Sequence, residues 1–243
     1  MTGQATPSIL AIDTAAGACS AALFADGVVC RREWTAMARG HAEALMPMVV
    51  TVMAGHDYKQ LDAIAVTVGP GAYTGLRIGL ATARGLALAA QIPVIGVSSF
   101  KAVARGAREA GAPPAPMLIV LETKRADLYV QALDAGLAPT SAPACLMPDA
   151  VAAAFPALWV EPVTIAGDAA ARLRAAMPGE GRIVIAPGDG LADAAIVAAE
   201  AAENLQAAPV PRDAPLPRPL YLRPPDVSPP AADRHRLRGG TGP

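Results

Sequence analysis

Apolar residues recur at every second position in three early segments, 9–12, 18–24 and 28–34, which are separated by a small-residue run at 14–17 and by Asp26-Gly27. That period predicts three consecutive antiparallel strands, the last two joined by a two-residue hairpin turn. Over 41–53 the period becomes helical. Leu45, Met48, Val49 and Val52 share one face, and Pro47 is expected near the first turn or at a kink. A buried strand at 61–68, a glycine-rich turn, a helix at 74–90 and a strand at 94–97 come next. Strand, helix, strand in that order predicts a parallel crossover.

The second half repeats the mixture less regularly. A helix is expected at 100–110, a proline break at Pro113-Pro114, and strands at 117–121, 128–133, 163–166 and 182–186, with helices at 168–177 and 192–204. The fold class is therefore α/β, divided into a first lobe at 8–104, a second lobe at 105–206 and a tail rich in proline and arginine at 207–243. Such a tail buries too little apolar surface to order itself, so most of it is expected to be mobile. The apolar segment 219–223 is the part expected to dock back.

At 53% hydrophobic and 17% charged side chains, the 243 residues can bury a large core, which excludes disorder of the whole. Much of that apolar share is alanine, and no run approaches the roughly 18 to 20 residues of a membrane helix. The first eight residues carry no basic side chain before the first strand, so no secretory signal is read and the cytoplasm is expected. Cys19, Cys30 and Cys145 have no CxxC spacing and are expected to be unpaired packing residues, with Cys30 opposite Leu23 across the hairpin. A formal net charge of −1 gives no general attraction to polyanions.

The most informative stretch is 69–79, GPGAYTGLRIG, between a strand and a helix. Glycines there permit close backbone approach, and amides at a helix N-terminus suit phosphate or carboxylate; a tight turn with no ligand explains the same residues. The loop lacks both the P-loop lysine and the dinucleotide fingerprint. Gly75, Gly79, Ala83 and Ala87 make a flat stripe that fits either the chain's own sheet or a partner's helix. Asp13, at the end of the first strand, is a turn former or a group that orients a nucleotide-bound metal. Catalytic constellations are missing: His41, His56 and His235 share no metal-ligand spacing, and there is no GxSxG elbow. His41 is expected to orient its helix start. Glu122, Lys124, Arg125 and Asp127 are expected to form a solvated turn, with a lobe-cleft site as the alternative.

The segments Ile9-Leu10-Ala11-Ile12-Asp13-Thr14, His41-Ala42-Glu43-Ala44-Leu45-Met46-Pro47, 69–79 and Gly96-Val97-Ser98-Ser99-Phe100 together resemble the TsaB family in order and spacing. Similarity is strongest over 8–104, weaker at 122–129 and Gly167-Asp168-Ala169, and returns at 219–223. The resemblance implies a two-lobed actin-like (ribonuclease H-like) fold with a degenerate second lobe. It implies a non-catalytic subunit that supports a TsaD-type catalytic paralogue in making threonylcarbamoyladenosine in tRNA. The paralogue's metal-ligand positions would fall on Ser99 and Val103, neither of which replaces imidazole, so no metal and no catalytic residue are expected.

From the resemblance and the stripe together, the expected partner interface is His41, Leu45, Gly75, Gly79, Ala83 and Ala87. The expected nucleotide contacts are Asp13, Thr14, Gly69, Gly71 and Gly75. No cofactor is intrinsic; ATP or ADP is expected at the partner interface, a TsaE-type ATPase in the assembly, self-association in isolation, and tRNA reached only through the complex. Three other readings compete. Asp13 and Gly167-Asp168-Ala169 would serve an actin-like small-molecule phosphotransferase, the superfamily's glycoprotease label suggests a peptidase, and the tail arginines would contact tRNA.

Overall fold

The computed structural model describes residues 6–159, 162–177 and 183–223. Strands β1 (Ile9–Asp13), β2 (Ala18–Ala25) and β3 (Val28–Ala36) form an antiparallel meander. Helix α1 (His41–Val52) leads to β4 (Ala63–Gly69), which pairs parallel with β1; α2 (Tyr73–Ala90) then crosses to β5 (Val94–Ser98), parallel to β4. The first sheet therefore has the order β3-β2-β1-β4-β5. After α3 (Ser99–Glu109) come β6 (Met117–Glu122), β7 (Leu128–Leu133), β8 (Ala144–Leu146), α4 (Val151–Ala154), β9 (Val163–Ala166), α5 (Ala170–Ala176) and β10 (Ile183–Ile185). These strands form a second mixed sheet, β10-β9-β6-β7-β8, and α6 (Ala194–Ala207) closes the regular structure.

Side-chain alternation on β1 explains the layering. Leu10 and Ile12 point to one face, where they meet Leu45, Val49 and Val52 of α1 and Leu80, Ala83 and Ala87 of α2. Ile9 and Ala11 point to the other, into a core shared with Phe100 of α3, Val197 of α6, and Met117 and Ile119 of β6. Leu118 and Val120 face away from that core, onto Val151 of α4 and Leu173 of α5. The result is five layers: α1 and α2, the first sheet, α3 and α6, the second sheet, and α4 and α5. The two-lobed α/β fold with mixed sheets flanked by helices is thus present, the second lobe having the shorter helices.

Three expectations need correcting. Helix α6 was assigned to the second lobe, yet it packs across β1, β2, β3, β4 and β5 of the first sheet. Its alanines let it lie close to Ala11, Ala22, Ala63 and Ala65, a fit that no strand-order argument could supply. The boundary at 104/105 falls inside α3, which contacts strands of both sheets, so the chain passes to the second sheet after that helix rather than within it. Cys30 is not opposite Leu23: a bulge between Leu23 and Phe24 pairs Leu23 with Arg31 and Phe24 with Val29, leaving Cys30 over. Pro47 is the seventh residue of α1, beyond its first turn, and the helix continues past it to Val52. All three cysteines are free, with Cys19 buried. Among the described residues no helix is long and apolar enough to cross a membrane.

The tail docks over a longer stretch than 219–223. It runs antiparallel beside α2, with Arg212 and Leu216 lining a groove with Leu88, the Pro217 carbonyl accepting from Arg84 (2.6 Å), and Leu220 N–H donating to the Val68 carbonyl (2.7 Å). Residues 224–243, to which the mobile remainder was assigned, lie outside the described residues, as do His235 and Arg182.

Candidate functional site

Two small-residue loops meet at the ends of β1 and β4. The Thr14 hydroxyl donates to the Gly75 carbonyl (2.7 Å), and the Ala72 amide donates to the Ala15 carbonyl (2.7 Å). A methyl group on Gly75 would overlap the Thr14 carbonyl, and one on Gly71 would overlap that of Ala15. At Gly79 it would come 2.6 Å from the Thr14 hydroxyl and 3.4 Å from Val66. The glycines are therefore required because backbone lies against backbone. Asp13, 1% exposed, sits beneath this contact, accepting from the Thr67 hydroxyl and from the Ala15 amide (3.3 Å). Burial pushes its carboxyl up from 3.8 to about 7, against the lowering effect of those hydrogen bonds.

This packing separates the expected site residues into closed and accessible ones. Thr14 and Gly75 are bonded to each other, Gly71 lies against the Ala15 carbonyl, Gly69 lies under the Leu220 carbonyl, and Asp13 is closed off from solvent; of the five, Gly71 lines the inter-lobe cavity and Gly75 the outward cleft. Burial also removes Asp13 from the phosphotransferase reading. The stripe Gly75, Gly79, Ala83 and Ala87 is buried under the chain's own first sheet, and Leu45 is 1% exposed in the same core. A partner cannot reach these residues. His41 is half-buried and anchors the start of α1 through Nε2 and the Ala16 carbonyl (3.1 Å).

What remains accessible lies on either side of the closed contact. Outward, the first turns of α1 and α2 open together into a cleft of about 510 Å³ lined by Arg39, His41, Glu43, Tyr73, Thr74 and Lys124. Neither helix has a side-chain cap, so backbone amides and cationic side chains occupy the same space. Inward, between the lobes, a cavity of about 60 Å³ is bounded by Ala15–Gly17 on one side and Glu122–Lys124 on the other, with Ser99 and Val103 on its wall. Among the described residues no three His, Cys, Asp or Glu side chains come together as metal ligands would.

The β6–β7 loop is solvated at its tip, where Lys124 and Arg125 are exposed, as expected, and its start, Glu122–Lys124, is also a wall of that cavity. Arg172 reaches from α5 to the Glu122 carboxylate (2.7 Å) and to the carbonyls of Arg125 (2.6 Å) and Asp127 (3.1 Å). Asp168 accepts from the Glu122 amide (2.9 Å), so Gly167-Asp168-Ala169 shapes the loop. Sequence reasoning also missed an aromatic and cationic cluster: Arg77 lies over the Tyr73 ring at 3.9 Å, and Tyr221 from the tail packs on Tyr73 at 5.1 Å between centroids. Arg77 lies four residues after Tyr73, a helical neighbour visible in sequence, whereas nothing local announces Tyr221.

Comparison with known proteins agrees with this architecture. The family model described as TsaD, tRNA N6-adenosine threonylcarbamoyltransferase, matches residues 33–142. The tRNA threonylcarbamoyladenosine biosynthesis protein TsaB of Escherichia coli is 40% identical over 124 residues, 50% of this chain and 52% of that protein. A tRNA N6-adenosine threonylcarbamoyltransferase of Erythrobacter litoralis is 47% identical over 73 residues, 29% of this chain and 21% of that protein. Curated relatives of the first kind are thus matched over about half their length. A crystal structure from Pseudomonas aeruginosa, described as similar to the peptidase YEAZ, aligns over 89% of this chain and 100% of its own at 30% identity, with a TM-score of 0.77.

Proposed function

The chain belongs to the TsaB family, and from that premise we propose that it acts in tRNA threonylcarbamoyladenosine biosynthesis as a non-catalytic subunit that docks a TsaD-type catalytic protein. The observation that carries the reading is the contrast between the covered inner faces of α1 and α2 and their bare outer faces. Met46 and Val50 on α1 are 41% and 60% exposed, and Leu88 on α2 is 82% exposed. A helix pair from another protein would bury that apolar surface, contributing roughly 25 cal/mol per Å² before the costs of association. The transferase likeness over 73 residues supports a partner of similar build, and also self-association when the partner is absent.

In this reading the chain performs no bond chemistry. Its closed glycine contact fixes α2 against β1 and β4, and the rigid pair α1 and α2 holds the catalytic subunit. ATP or ADP is assigned to the outward cleft beside the docking face, where Arg39, Lys124 and the two uncapped helix starts suit phosphate oxygens and Tyr73 offers a ring to stack on. A TsaE-type ATPase would join there, tRNA would be met only through the assembled complex, and the setting would be the cytoplasm.

The test is size-exclusion chromatography with light scattering of the chain mixed with the TsaD-type protein of the same organism. Wild type is expected to give a heteromeric species, and Val50→Glu, which inserts a charge in the exposed face without touching the core, is expected to weaken it at least about tenfold. Undiminished association of the Val50→Glu and Met46→Glu variants would remove α1 from the interface.

A further inference from the structure

The docked tail touches both lobes, on segments that lead directly into the walls of the inter-lobe cavity. On the first lobe it is held by the Pro217 carbonyl on Arg84, by the Leu220 amide on Val68, and by Tyr221 on Tyr73 and Arg77. Room has been left for it: a methyl group on Gly96 would come 2.8 Å from Pro217 Cβ. On the second lobe Arg223 donates to the Asp127 carboxylate at 2.8 Å. Val68 lies just before the Pro70–Ala72 wall of the cavity, and Asp127 belongs to the loop that forms the opposite wall. That loop is itself pinned to the second lobe by Arg172, and Thr123 donates to Asp127 (2.7 Å), so it moves as one piece with its sheet.

We propose that residues 217–223 are a clasp whose latch, Arg223 on Asp127, keeps the inter-lobe cavity shut, and that releasing the latch opens it. Only two residues separate the two anchors, Leu220 and Arg223, and an extended chain of three residue steps spans roughly 10 Å. The walls therefore cannot part widely while both anchors hold. The latch pair is partly shielded, with side chains 32% and 20% exposed, so it responds to salt but is not dissolved in solvent. Anything that draws the tail away from α2 would, by the same linkage, expose the surface of Ala15–Gly17 and Glu122–Lys124.

Hydrogen exchange read by mass spectrometry on the full chain tests this. Arg223→Ala is expected to speed exchange in the segments 70–72 and 122–127 about two- to fivefold, the scale of one partly exposed ion pair. Leu220→Pro, which removes the amide bonded to Val68, should act on the same two segments. Arg223→Lys, which keeps the cation on Asp127 and leaves the Thr123 bond in place, should retain most of the protection. Faster exchange confined to 217–223, no change in either wall, or an equal rise across β1, β4 and β6 would each overturn the proposal.

Discussion

The two faces of α2 are made of similar residues and do opposite things. Inward, Gly75, Gly79, Ala83 and Ala87 are pressed against the loop after β1 and against the first sheet, with no room for a single methyl group at Gly75. Outward, Ala81, Gly85, Leu88 and Ala89 are exposed. Small residues permit close approach but do not name the neighbour; what separates the faces is that Thr14 and Ala15 supply hydrogen-bond partners on one side only. A small-residue stripe marks a tight contact, and the polar groups around it decide whether that contact lies within the chain or beyond it.

The largest test of this contrast is a substitution on each face. Gly75→Val is expected to cost more than about 5 kcal/mol, enough to abolish folding of a marginally stable domain, because backbone cannot yield as a side chain can. Ala81→Glu should stay within about 0.5 kcal/mol of wild type. Urea unfolding followed by circular dichroism reads both, and equal effects would erase the distinction.

Next in size is the carboxyl sealed beneath the closed side. Asp13 binds its proton more tightly in the fold than in the unfolded chain, with a folded value of about 7 against 3.8. Its contribution is therefore fully favourable below pH 3.8, is lost as pH rises towards 7, and is constant above that. Asp13→Asn should gain on wild type across this window by an amount on the order of 4 kcal/mol, measured as the difference in unfolding free energy at successive pH values. A difference independent of pH would mean that the carboxyl titrates alike in the folded and unfolded chain, so that burial does not raise it.

The smallest effect concerns the open end. Arg39→Ala combined with Lys124→Ala should weaken ATP binding by the assembled complex about tenfold, or 1.4 kcal/mol, with unfolding unchanged. Calorimetry with the partner present reads it, and unaltered affinity would send the nucleotide elsewhere.

Most of the fold was legible because its strands and long helices repeat with periods of two and of 3.6 along contiguous stretches. β8 was missed because Ala144, Cys145 and Leu146 are too few to show a period. The placing of α6 was missed for another reason: periodicity says that a face is buried, not which sheet buries it. At the site, the glycines of 69–79 were correctly read as allowing close approach, but local chemistry left open whether phosphate or a tight turn uses that space, and the Thr14–Ala15 backbone, distant in sequence, fills much of it. The docked tail was the least legible part. Its composition reads as disordered, and its order depends on space left by Gly69 and Gly96 more than a hundred residues earlier.

Helix α6 has a consequence for how the protein is made. The strands of the first sheet are complete at Ser98, yet the helix that covers their inner face ends at Ala207. During synthesis at roughly 5–20 residues per second, the alanine-lined side of that sheet waits about five seconds or more for its cover, open to other nascent chains. A fragment cut to the well-matched first half would carry the same bare face permanently. Recombinant pieces ending before α6 are therefore expected to aggregate, even though they contain every strand of both sheets.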